Sequence, residues 1–580
     1  PAGLGECDFG DCYDRAAHPP TSIALQSWGI PKPAVRVLLS TMQTMQYVLK
    51  TGFGESSESY GGTVTSPLSG LGQGSGASPP AFMALSALIV NAYRRMGHGA
   101  RVTSSYAARL FLLSAVMYVD DTDLLHWPES PATDTEELIH HVQEATMDYG
   151  RLAQASGGIL KENKCSVYFL AYKYSGGRAR MMSLRDLPAP TAYVLDGEKA
   201  LPSHIYIPQP DGSESPIITH EVTTASKMLG VHFSPAGNSL THVSLMVQKG
   251  LDWVDCLRTK PVSRPDAWLS FYLQLFPGIS WGLVTVCMPP TKLDSMLQRV
   301  YAKALPFLGV NCKIKRAWRT LPERYQGLGL PNFPLVALSS KLSFLMGNWG
   351  FYGLAHSDAL SMAFENFLVE VGLYGSPFQW SYDDFGQLAT DSTWFQDLWR
   401  LTHAFTAEVS FRNEDMVQGV RENDRSLMAE FHRIGYSGKE LTSLNIVRHY
   451  RNLLHLSDIS KCDGATLDEF SVSDFSERSA HHVFPQEQPT RSDFRLWKEA
   501  ISRLCSGTSI LPCHLGPFLR LPHITCEWFT DASGETLYRV AARIPTPRYE
   551  CYVGRQGLST RHGRKYDWVS TVEGENPGLY

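Results

Sequence analysis

The sharpest feature in the pattern of apolar and polar positions is a pair of adjacent aspartates between two apolar stretches. Residues 110–117 are mostly apolar, Asp120 and Asp121 follow three residues later, and residues 124–125 are apolar again. This pattern predicts a tight turn that joins two strands of a buried hairpin. Two neighbouring carboxylates are hard oxygen ligands of the kind that Mg²⁺ binds, whereas the simpler interpretation is an acidic turn on the surface.

Periodicity and turn residues predict further elements in the first 240 residues. They are a helix ending near Gly29, a helix from Pro33 to about Gln46, a strand from Tyr47 to Phe53, a helix from Phe82 to about Met96, a helix after the capping pattern at Thr133, a strand from Val167 to Tyr174 and a strand from Lys227 to Phe233. Residues 54–62 are polar and rich in small side chains, which predicts a loop.

A glycine-rich stretch precedes the predicted helix of residues 82–96. Gln73 and Gly74 stand in a run of small residues that ends at Ser78 and Pro79. Small residues let the backbone approach a ligand closely, and a helix N-terminus attracts negatively charged groups. The stretch therefore predicts a seat for a phosphate or a base pair. A flexible linker fits it poorly, because a linker would not carry a lone glutamine and a helix start.

Three further polar residues stand close to predicted strand ends. Asp8 would close a strand whose pairing with the hairpin brings it to Asp120, although an ordinary Asp-rich loop remains the alternative. Tyr13 follows five residues later, where its ring would exclude a 2′-hydroxyl from the sugar of an incoming nucleotide. Lys164 lies at a turn-to-strand junction, either as a solvated lysine or as a proton donor to a leaving pyrophosphate.

Composition and charge narrow the possible classes of protein. The chain has 580 residues and a formal net charge of −5, so nucleic-acid binding would depend on local basic patches. Its 11 cysteines include no C-x-x-C pair, which argues against zinc knuckles and disulfides and predicts an intracellular protein of the nucleus or cytoplasm. No apolar run is long enough to span a membrane. The chain begins with Pro1 rather than Met, which indicates a fragment cut at its N-terminus.

Residues beyond 240 are predicted to be mostly helical. Basic residues interleaved with tryptophans suit either a thumb that grips a duplex backbone or an ordinary helical bundle. These residues are Lys249, Trp253, Arg258, Lys260, Arg264, Trp268, Trp281, Lys313, Lys315, Arg316, Trp318 and Arg319. Asp383 and Asp384 predict a solvated turn, and the acidic, serine-rich residues 457–479 predict a linker. Tyrosines after residue 528 predict a small β-rich module. A ribonuclease H fold is excluded at Asp531, because too few residues follow it.

Four short motifs in order resemble the palm motifs of a reverse transcriptase, an RNA-directed DNA polymerase. They are Asp8-x4-Tyr13, Gln73-Gly74-x3-Ser78-Pro79, Tyr118-Val119-Asp120-Asp121, and Gly158 followed by Lys164. Three further motifs resemble the retroelements without long terminal repeats: Asn163-Lys164, Leu229-Gly230 and Gly327 to Pro331. Two resemble mobile-element polymerases of microbial eukaryotes: Cys12 to Arg15 and Thr51 to Ser56. The resemblance covers residues 5–240 well and 240–340 loosely, and it implies an N-terminal truncation because the family's fingers precede the first aspartate.

The resemblance implies an α+β fold with a right-hand polymerase palm, in which helices cover one face of an antiparallel sheet. A helical thumb and a mostly helical C-terminal region with a small β-rich end would follow. The implied domains are a palm with partial fingers (1–240), a thumb- or connection-like region (241–345), a helical region (346–480) and a small terminal module (481–580).

The resemblance also implies a two-metal site for nucleotidyl transfer. Asp8, Asp120 and Asp121 would hold two Mg²⁺ ions, or Mn²⁺. The other implied roles are a carbonyl ligand from Phe9, template–primer contacts by Gln73 and Gly74, a turn shaped by Ser78 and Pro79, sugar selection by Tyr13 and proton donation by Lys164. The implied partners are an RNA template, a DNA primer and dNTPs, with no membrane. Two alternatives stay open: a viral RNA-templated RNA polymerase, which Tyr13 disfavours, and a domesticated nucleic-acid-binding remnant without catalysis.

Overall fold

The structure is a computed structural model that describes most of the chain. The described residues are 1–103, 110–128, 134–175, 178–351, 353–373, 375–390, 393–411, 421–451, 453–461, 463–468 and 488–516, together with the backbone of 528–530, 536–542, 548–560 and 563–573.

The first 240 residues form strands and helices around a central sheet. The strands are β1 (Ala2–Asp8), β2 (Gln46–Thr51), β3 (Gly54–Gly61), β4 (Ala100–Thr103), β5 (Leu110–Leu113), β6 (Ala115–Tyr118), β7 (Asp121–His126), β8 (Ser166–Leu170), β9 (Tyr172–Ser175), β10 (Arg178–Met181), β11 (Ala192–Asp196), β12 (Lys199–Ser203), β13 (Ile205–Pro208), β14 (Glu214–His220), β15 (Ser226–Met228) and β16 (Val231–Phe233). The helices are α1 (Cys12–Arg15), α2 (His18–Ser27), α3 (Lys32–Gln43), α4 (Ser78–Arg95) and α5 (Thr135–Ala155).

Six strands form the central sheet in the order β13-β14-β8-β1-β7-β6. Neighbouring strands are antiparallel except β14 and β8, which are parallel. Helix α5 covers one face, where Val142 packs so closely on Gly3 that a Cβ on that glycine would collide with it. On the same face, the hydroxyl of Tyr149 donates to Oγ1 of Thr122 at 2.9 Å. Side chains alternate along a strand, so Asp8 lies on the opposite, open face.

The predicted α+β class is confirmed, and the predicted helices and the acidic hairpin are present. Helix α5 begins at the N-cap Asp134, whose carboxylate accepts a hydrogen bond from the backbone of Glu137 at 2.8 Å. Its residues Leu138 and Val142 are fully buried, as the apolar periodicity indicates. The acidic hairpin consists of β6 and β7.

Three predicted elements are wrong in detail. Residues 54–62, predicted as a loop, contain strand β3, which pairs with β2 in a hairpin that is almost wholly exposed; without a buried face it has no apolar alternation. The predicted strand of residues 167–174 is interrupted at Ala171. The predicted strand of residues 227–233 is the hairpin β15–β16, because Leu229 and Gly230 turn the chain with φ of 48° and 83°.

The hairpin at Asp120 is less buried than predicted. Strand β6 is the edge strand of the sheet, and its residues Val116 and Tyr118 are exposed. The apolar run of residues 110–117 is divided between β6 and β5, and β5 pairs with β4 outside the central sheet. An edge strand has no neighbouring strand on one side, which explains why Val116 and Tyr118 are exposed.

The described residues between 240 and 468 are mostly helical, as predicted, and a further helix, α17 (Arg491–Leu504), lies in the predicted terminal module. The other helices are α6 (Leu240–Thr259), α7 (Arg264–Ser270), α8 (Phe276–Ser280), α9 (Pro290–Ala304), α10 (Arg316–Thr320), α11 (Phe333–Asn348), α12 (Ala355–Val371), α13 (Tyr382–Phe385), α14 (Trp394–Ala404), α15 (Leu427–Arg433) and α16 (Gly438–Arg451). Buried side chains from Val243 to Leu515 form one continuous hydrophobic cluster.

Two predictions in this region need correction. Residues 457–468 of the predicted linker belong to the hydrophobic cluster, because Ile459 is fully buried and Leu467 almost so; residues 469–479 lie outside the described part of the chain. Asp383 and Asp384 lie in the short helix α13 rather than in a turn. Their carboxylates are solvated as predicted and pair with two histidines at 3.1 and 3.7 Å.

The predicted β-rich end is confirmed by four antiparallel strands. They are β17 (Trp528–Thr530), β18 (Thr536–Ala542), β19 (Arg548–Thr560) and β20 (Gly563–Glu573). Within the described ranges, none of the helices combines the length and the hydropathy needed to cross a membrane.

Candidate active site

The three predicted carboxylates lie where β1 ends beside the β6–β7 hairpin. Asp8, the last residue of β1, is the direct cross-strand partner of Asp121, the first residue of β7. Asp120 precedes it in the turn, and its carbonyl accepts a hydrogen bond from the backbone of Phe9 at 3.1 Å. Cys7, which precedes Asp8, and Thr122, which follows Asp121, are buried on the face that α5 covers. Because directly paired residues point to the same face, Asp8 and Asp121 both lie on the open face.

The hairpin turn contains an unusual backbone conformation. Tyr118 pairs with Asp121, which leaves Val119 and Asp120 as a two-residue turn, and Val119 has a φ of 59°. A positive φ is sterically unfavourable for a β-branched residue and is found mostly where the surrounding structure imposes it. The turn therefore holds Asp120 at the end of β1 at a conformational cost. The sequence gives no sign of it, since glycine or asparagine is the usual residue there.

Asp8 has one paired and one unpaired carboxylate oxygen. Its Oδ2 accepts a hydrogen bond from the ammonium group of Lys164 at 3.0 Å, whereas no described residue donates one to its buried Oδ1. The backbone of Lys161 donates to the carbonyl of Asp8 at 3.0 Å, which fastens the turn of residues 161–164 to the end of β1. Hydrogen bonding and the charge of Asp8 raise the pKa of Lys164, so the amine is charged at neutral pH.

The carboxylates repel one another electrostatically. The pKa of Asp121 is raised mainly by burial and further by the charges of Asp120 and Asp8, while the charge of Lys164 opposes the shift. Such mutual repulsion favours a bound cation, and the unpaired Oδ1 of Asp8 is an available hard oxygen donor. As the side chains stand, however, no three His, Cys, Asp or Glu side chains in the described part of the chain converge closely enough to hold a metal ion. The donor chemistry therefore fits Mg²⁺, but the three carboxylates must rearrange to share it.

A second acidic pair lies one step further along the same strands. Glu6 is the cross-strand partner of Asp123, and it accepts hydrogen bonds from Oγ of Ser166 at 2.8 Å and from Oγ of Ser226. Burial, followed by the charge of Glu6, raises the pKa of Asp123 to about 7. This pair was not recognised from the sequence, although acids two residues apart in both strands are the signal of a shared face.

Tyr13 and Phe9 belong to a group of aromatic rings beneath the acidic turn. The ring of Phe9 is buried and contacts Phe82 and Tyr149 edge-on, with centroids 6.2 and 6.0 Å apart. The half-buried ring of Tyr13 contacts Phe82 at 5.5 Å. The pKa of Tyr13 is raised mainly by burial and further by the charges of Cys12 and Asp120. The charge of Asp120 thus acts on the Tyr13 hydroxyl, and Phe82 joins the rings of Tyr13 and Phe9 in one group.

The glycine-rich loop is fastened to the segment that carries Tyr13. The backbone of Leu71 donates to the carbonyl of Tyr13 at 2.6 Å, and a Cβ on Gly70 would lie 2.4 Å from a backbone oxygen of Asp14. Ser78, buried at the start of α4, donates from Oγ to the carbonyl of Gly72 at 2.8 Å and to that of Leu71.

The remaining predicted residues of this loop are on its outer side. Gln73, Gly74 and Pro79 are exposed, and Pro79 lies in the first turn of α4. Ser78 therefore holds the loop, whereas Gln73 and Gly74 are free to contact a ligand.

His18 is a further residue that supports this loop. Its buried imidazole lies between two partners, with Nε2 2.6 Å from the carbonyl oxygen of Gly70 and Nδ1 3.0 Å from Nε2 of Gln43. We expect His18→Leu to lower the free energy of unfolding by about 1–3 kcal/mol, because it leaves the buried carbonyl of Gly70 and the partly buried amide of Gln43 without this partner. It should also speed proteolytic cleavage at residues 70–76.

Urea titration and limited proteolysis would measure both effects. His140→Leu is the matched control, since His140 is exposed on α5 and its loss should change stability by less than about 0.5 kcal/mol. Equal stability and equal cleavage rates in the two variants would contradict the assigned role of His18.

The basic and aromatic residues of the predicted thumb divide into two groups. Arg319 is buried and structural, because its guanidinium donates to Gln298 Oε1 at 3.0 Å and to two backbone carbonyls. Trp253 and Trp268 are likewise held by hydrogen bonds at 2.7 and 3.1 Å. The exposed members are Lys249, Arg258, Lys260, Arg264, Trp281, Lys313, Lys315, Arg316 and Trp318. Among them, Trp281 donates from Nε1 to the carbonyl of Leu229 at 3.2 Å.

Comparisons with known proteins give matches to solved structures alone. No family model matches the chain, and no curated protein matches it. Ten chains of solved structures do, among them the structure of telomerase from Candida albicans in complex with a TWJ fragment of telomeric RNA. That match has 11% sequence identity and a TM-score of 0.26, and it covers 65% of this chain and 48% of the telomerase chain. The chain thus spans about half the length of that telomerase chain, and at this TM-score the likeness carries no functional argument.

Proposed function

We propose that the chain is an RNA-directed DNA polymerase that transfers dNTPs to the 3′-hydroxyl of a primer, within the polyprotein of a retroelement without long terminal repeats. The observation that carries the proposal is the direct pairing of Asp8 with Asp121 on the open face of the sheet, with Asp120 beside them in the turn. Separate strands thereby supply carboxylates to one place, which two-metal nucleotidyl transfer requires.

Each residue of the site would have a separate task. Asp8, Asp120 and Asp121 would hold Mg²⁺, or Mn²⁺. When bound, the two ions would lower the pKa of the primer hydroxyl and neutralise the leaving phosphates. Lys164 would give a proton to the leaving pyrophosphate. Gln73 and Gly74, exposed on a loop that is fastened to the Tyr13 segment, would contact the template–primer pair.

Tyr13 would select the sugar, because its ring would fill the space that a 2′-hydroxyl requires. We expect Tyr13→Ala to incorporate ribonucleotides, with discrimination against NTPs falling about tenfold or more. Single-nucleotide incorporation of dNTP and NTP on an RNA template measures the ratio. Tyr13→Phe keeps the ring and should keep the discrimination.

Two results of this experiment would contradict the proposal. Unchanged discrimination in Tyr13→Ala would remove the assigned role of the ring. Preference of the unaltered chain for NTPs would instead favour the RNA polymerase alternative.

A second candidate is a nucleic-acid-binding remnant without catalysis. It is favoured by the lack of a converged metal-ligand set among the described residues and by the ion pair of Lys164 with Asp8. Primer extension in Mg²⁺ on an RNA template with an annealed DNA primer separates the two candidates. Extension supports the polymerase, whereas retention of the duplex without extension supports the remnant.

A further inference from the structure

The ion pair between Lys164 and Asp8 occupies an oxygen that a metal ion would need. The ammonium group lies 3.0 Å from Oδ2 of Asp8, whose side chain is only 13% exposed. The other carboxylate oxygen, Oδ1, is buried with no described donor. Asp120 and Asp121 add negative charge that acts on the same amine. Lys164 thus offsets part of the negative charge of this cluster.

We propose that the ammonium group of Lys164 and a divalent cation compete for Oδ2 of Asp8, so that a cation can enter the site only as Lys164 leaves. This inference rests on the proposed function to the extent that it assigns the metal to Asp8. The competitors are chemically matched, because an ammonium group is a compact point charge that a carboxylate binds as it binds a hard cation.

The two partners differ in their freedom to move. Asp8 ends a strand that is paired on both sides, and its carbonyl is held by the backbone of Lys161. The side chain of Lys164 is 53% exposed and projects from a surface turn, so it can swing into solvent without disturbing the core. Because its lysine is solvated, this ion pair is easier to break than a fully buried one, and a doubly charged ion can displace it.

Displacement has a consequence for the proposed reaction. Once released, the amine of Lys164 stays tethered beside the acidic cluster, because its backbone remains in the turn before the buried Cys165. The event that loads the site would therefore free the proton donor for the leaving pyrophosphate. Lys164 would reduce the repulsion between the carboxylates before the cation binds and would donate a proton to the pyrophosphate afterwards.

Binding of Mn²⁺ to the full chain without nucleotide, followed by electron paramagnetic resonance of free Mn²⁺, tests the competition. We expect Lys164→Met to bind Mn²⁺ about fivefold more tightly than the unaltered chain, because the competitor is gone. Lys161→Met is the matched control: it removes the same charge three residues earlier, from a lysine that lies 3.5 Å from Asp11 instead. It should leave the affinity unchanged.

Lys164→Arg separates competition from a general effect of charge, since it keeps a cation beside Asp8 and should bind Mn²⁺ no more tightly than the unaltered chain. Equal or weaker Mn²⁺ binding in Lys164→Met would overturn the proposal, as would an equal gain in Lys161→Met.

A second measurement uses the unaltered chain. Mg²⁺ should increase acylation of the Lys164 amine, detected by mass spectrometry, and leave that of Lys161 unchanged; a constant Lys164 signal would also overturn the proposal. Tighter Mn²⁺ binding by Lys164→Met in a chain that does not extend primers would support the competition and reject the polymerase. Primer extension with unchanged Mn²⁺ binding would reject the competition alone.

Discussion

Replacing Asp8 or Asp120 by Asn should abolish primer extension in Mg²⁺, lowering kcat/KM by about 10³-fold or more. Asn keeps the shape of the side chain and removes the charge that a divalent cation requires. Asp8 has no substitute in its position, because it is the only acid at the end of β1 and faces Asp121 directly. Asp120 is held in place by the strained turn at Val119. Both losses should therefore fall on the chemical step rather than on folding.

Single-turnover incorporation of one dNTP on an RNA template measures this loss. Asp11→Asn is the matched control, since Asp11 lies three residues from Asp8 and is exposed, pairing with Arg15 and Lys161 at 3.7 and 3.5 Å. It should retain activity within about twofold. Activity in Asp8→Asn or Asp120→Asn equal to that of the control would remove the catalytic assignment.

Asp397→Asn should lower the free energy of unfolding by about 3–5 kcal/mol. Asp397 is 1% exposed and lies between two cations: the fully buried Lys341, 3.4 Å away, and Arg400. It also accepts a hydrogen bond from the backbone of Met288 at 3.0 Å. Removing the negative charge leaves the buried Lys341 and the partly buried Arg400 uncompensated, while Asn preserves the packing.

Urea unfolding followed by tryptophan fluorescence measures the change. Asp255→Asn is the control, because Asp255 pairs with Arg258 at 3.4 Å on the surface, where an ion pair contributes less than about 1 kcal/mol. A loss for Asp397→Asn no larger than for Asp255→Asn would show that the cluster does not join α11 to α14 energetically. The site on the central sheet should be unaffected in either variant, since both substitutions lie in the helical region.

Elements with a strong local signal were predicted correctly from the sequence. Helix α5 has a regular apolar stripe, and a capping pattern at Thr133 predicts its start to within one residue of the observed N-cap, Asp134; Thr133 itself lies outside the described residues. Both signals depend only on residues within a few positions of each other. Strand β3 was missed because its serines and glutamates are exposed on both faces, so that pairing with β2 alone makes it a strand. The turn at Leu229 was missed for a related reason: a leucine with positive φ has no distinctive sequence pattern.

The candidate site shows the same division more sharply. The acidic residues at positions 8, 120 and 121, the aromatic at 13 and the lysine at 164 were recognisable from residue type and order. Their roles remain predictions, but the structure does bring them to one end of the central sheet. The acids Glu6 and Asp123 were not recognised, because their significance appears only when β1 and β7 are paired.

The sequence by itself determined the kinds of side chain available and the local elements that carry them: two carboxylates in a hairpin between apolar strands, and a glycine-rich turn before a helix. Only the tertiary structure decided that Asp8 faces Asp121 and that Lys164 binds Asp8 from 156 positions away. The physical reason is strand register. A shift of one residue would turn every side chain of β1 to the other face, and nothing in the local pattern around Asp8 distinguishes the two registers.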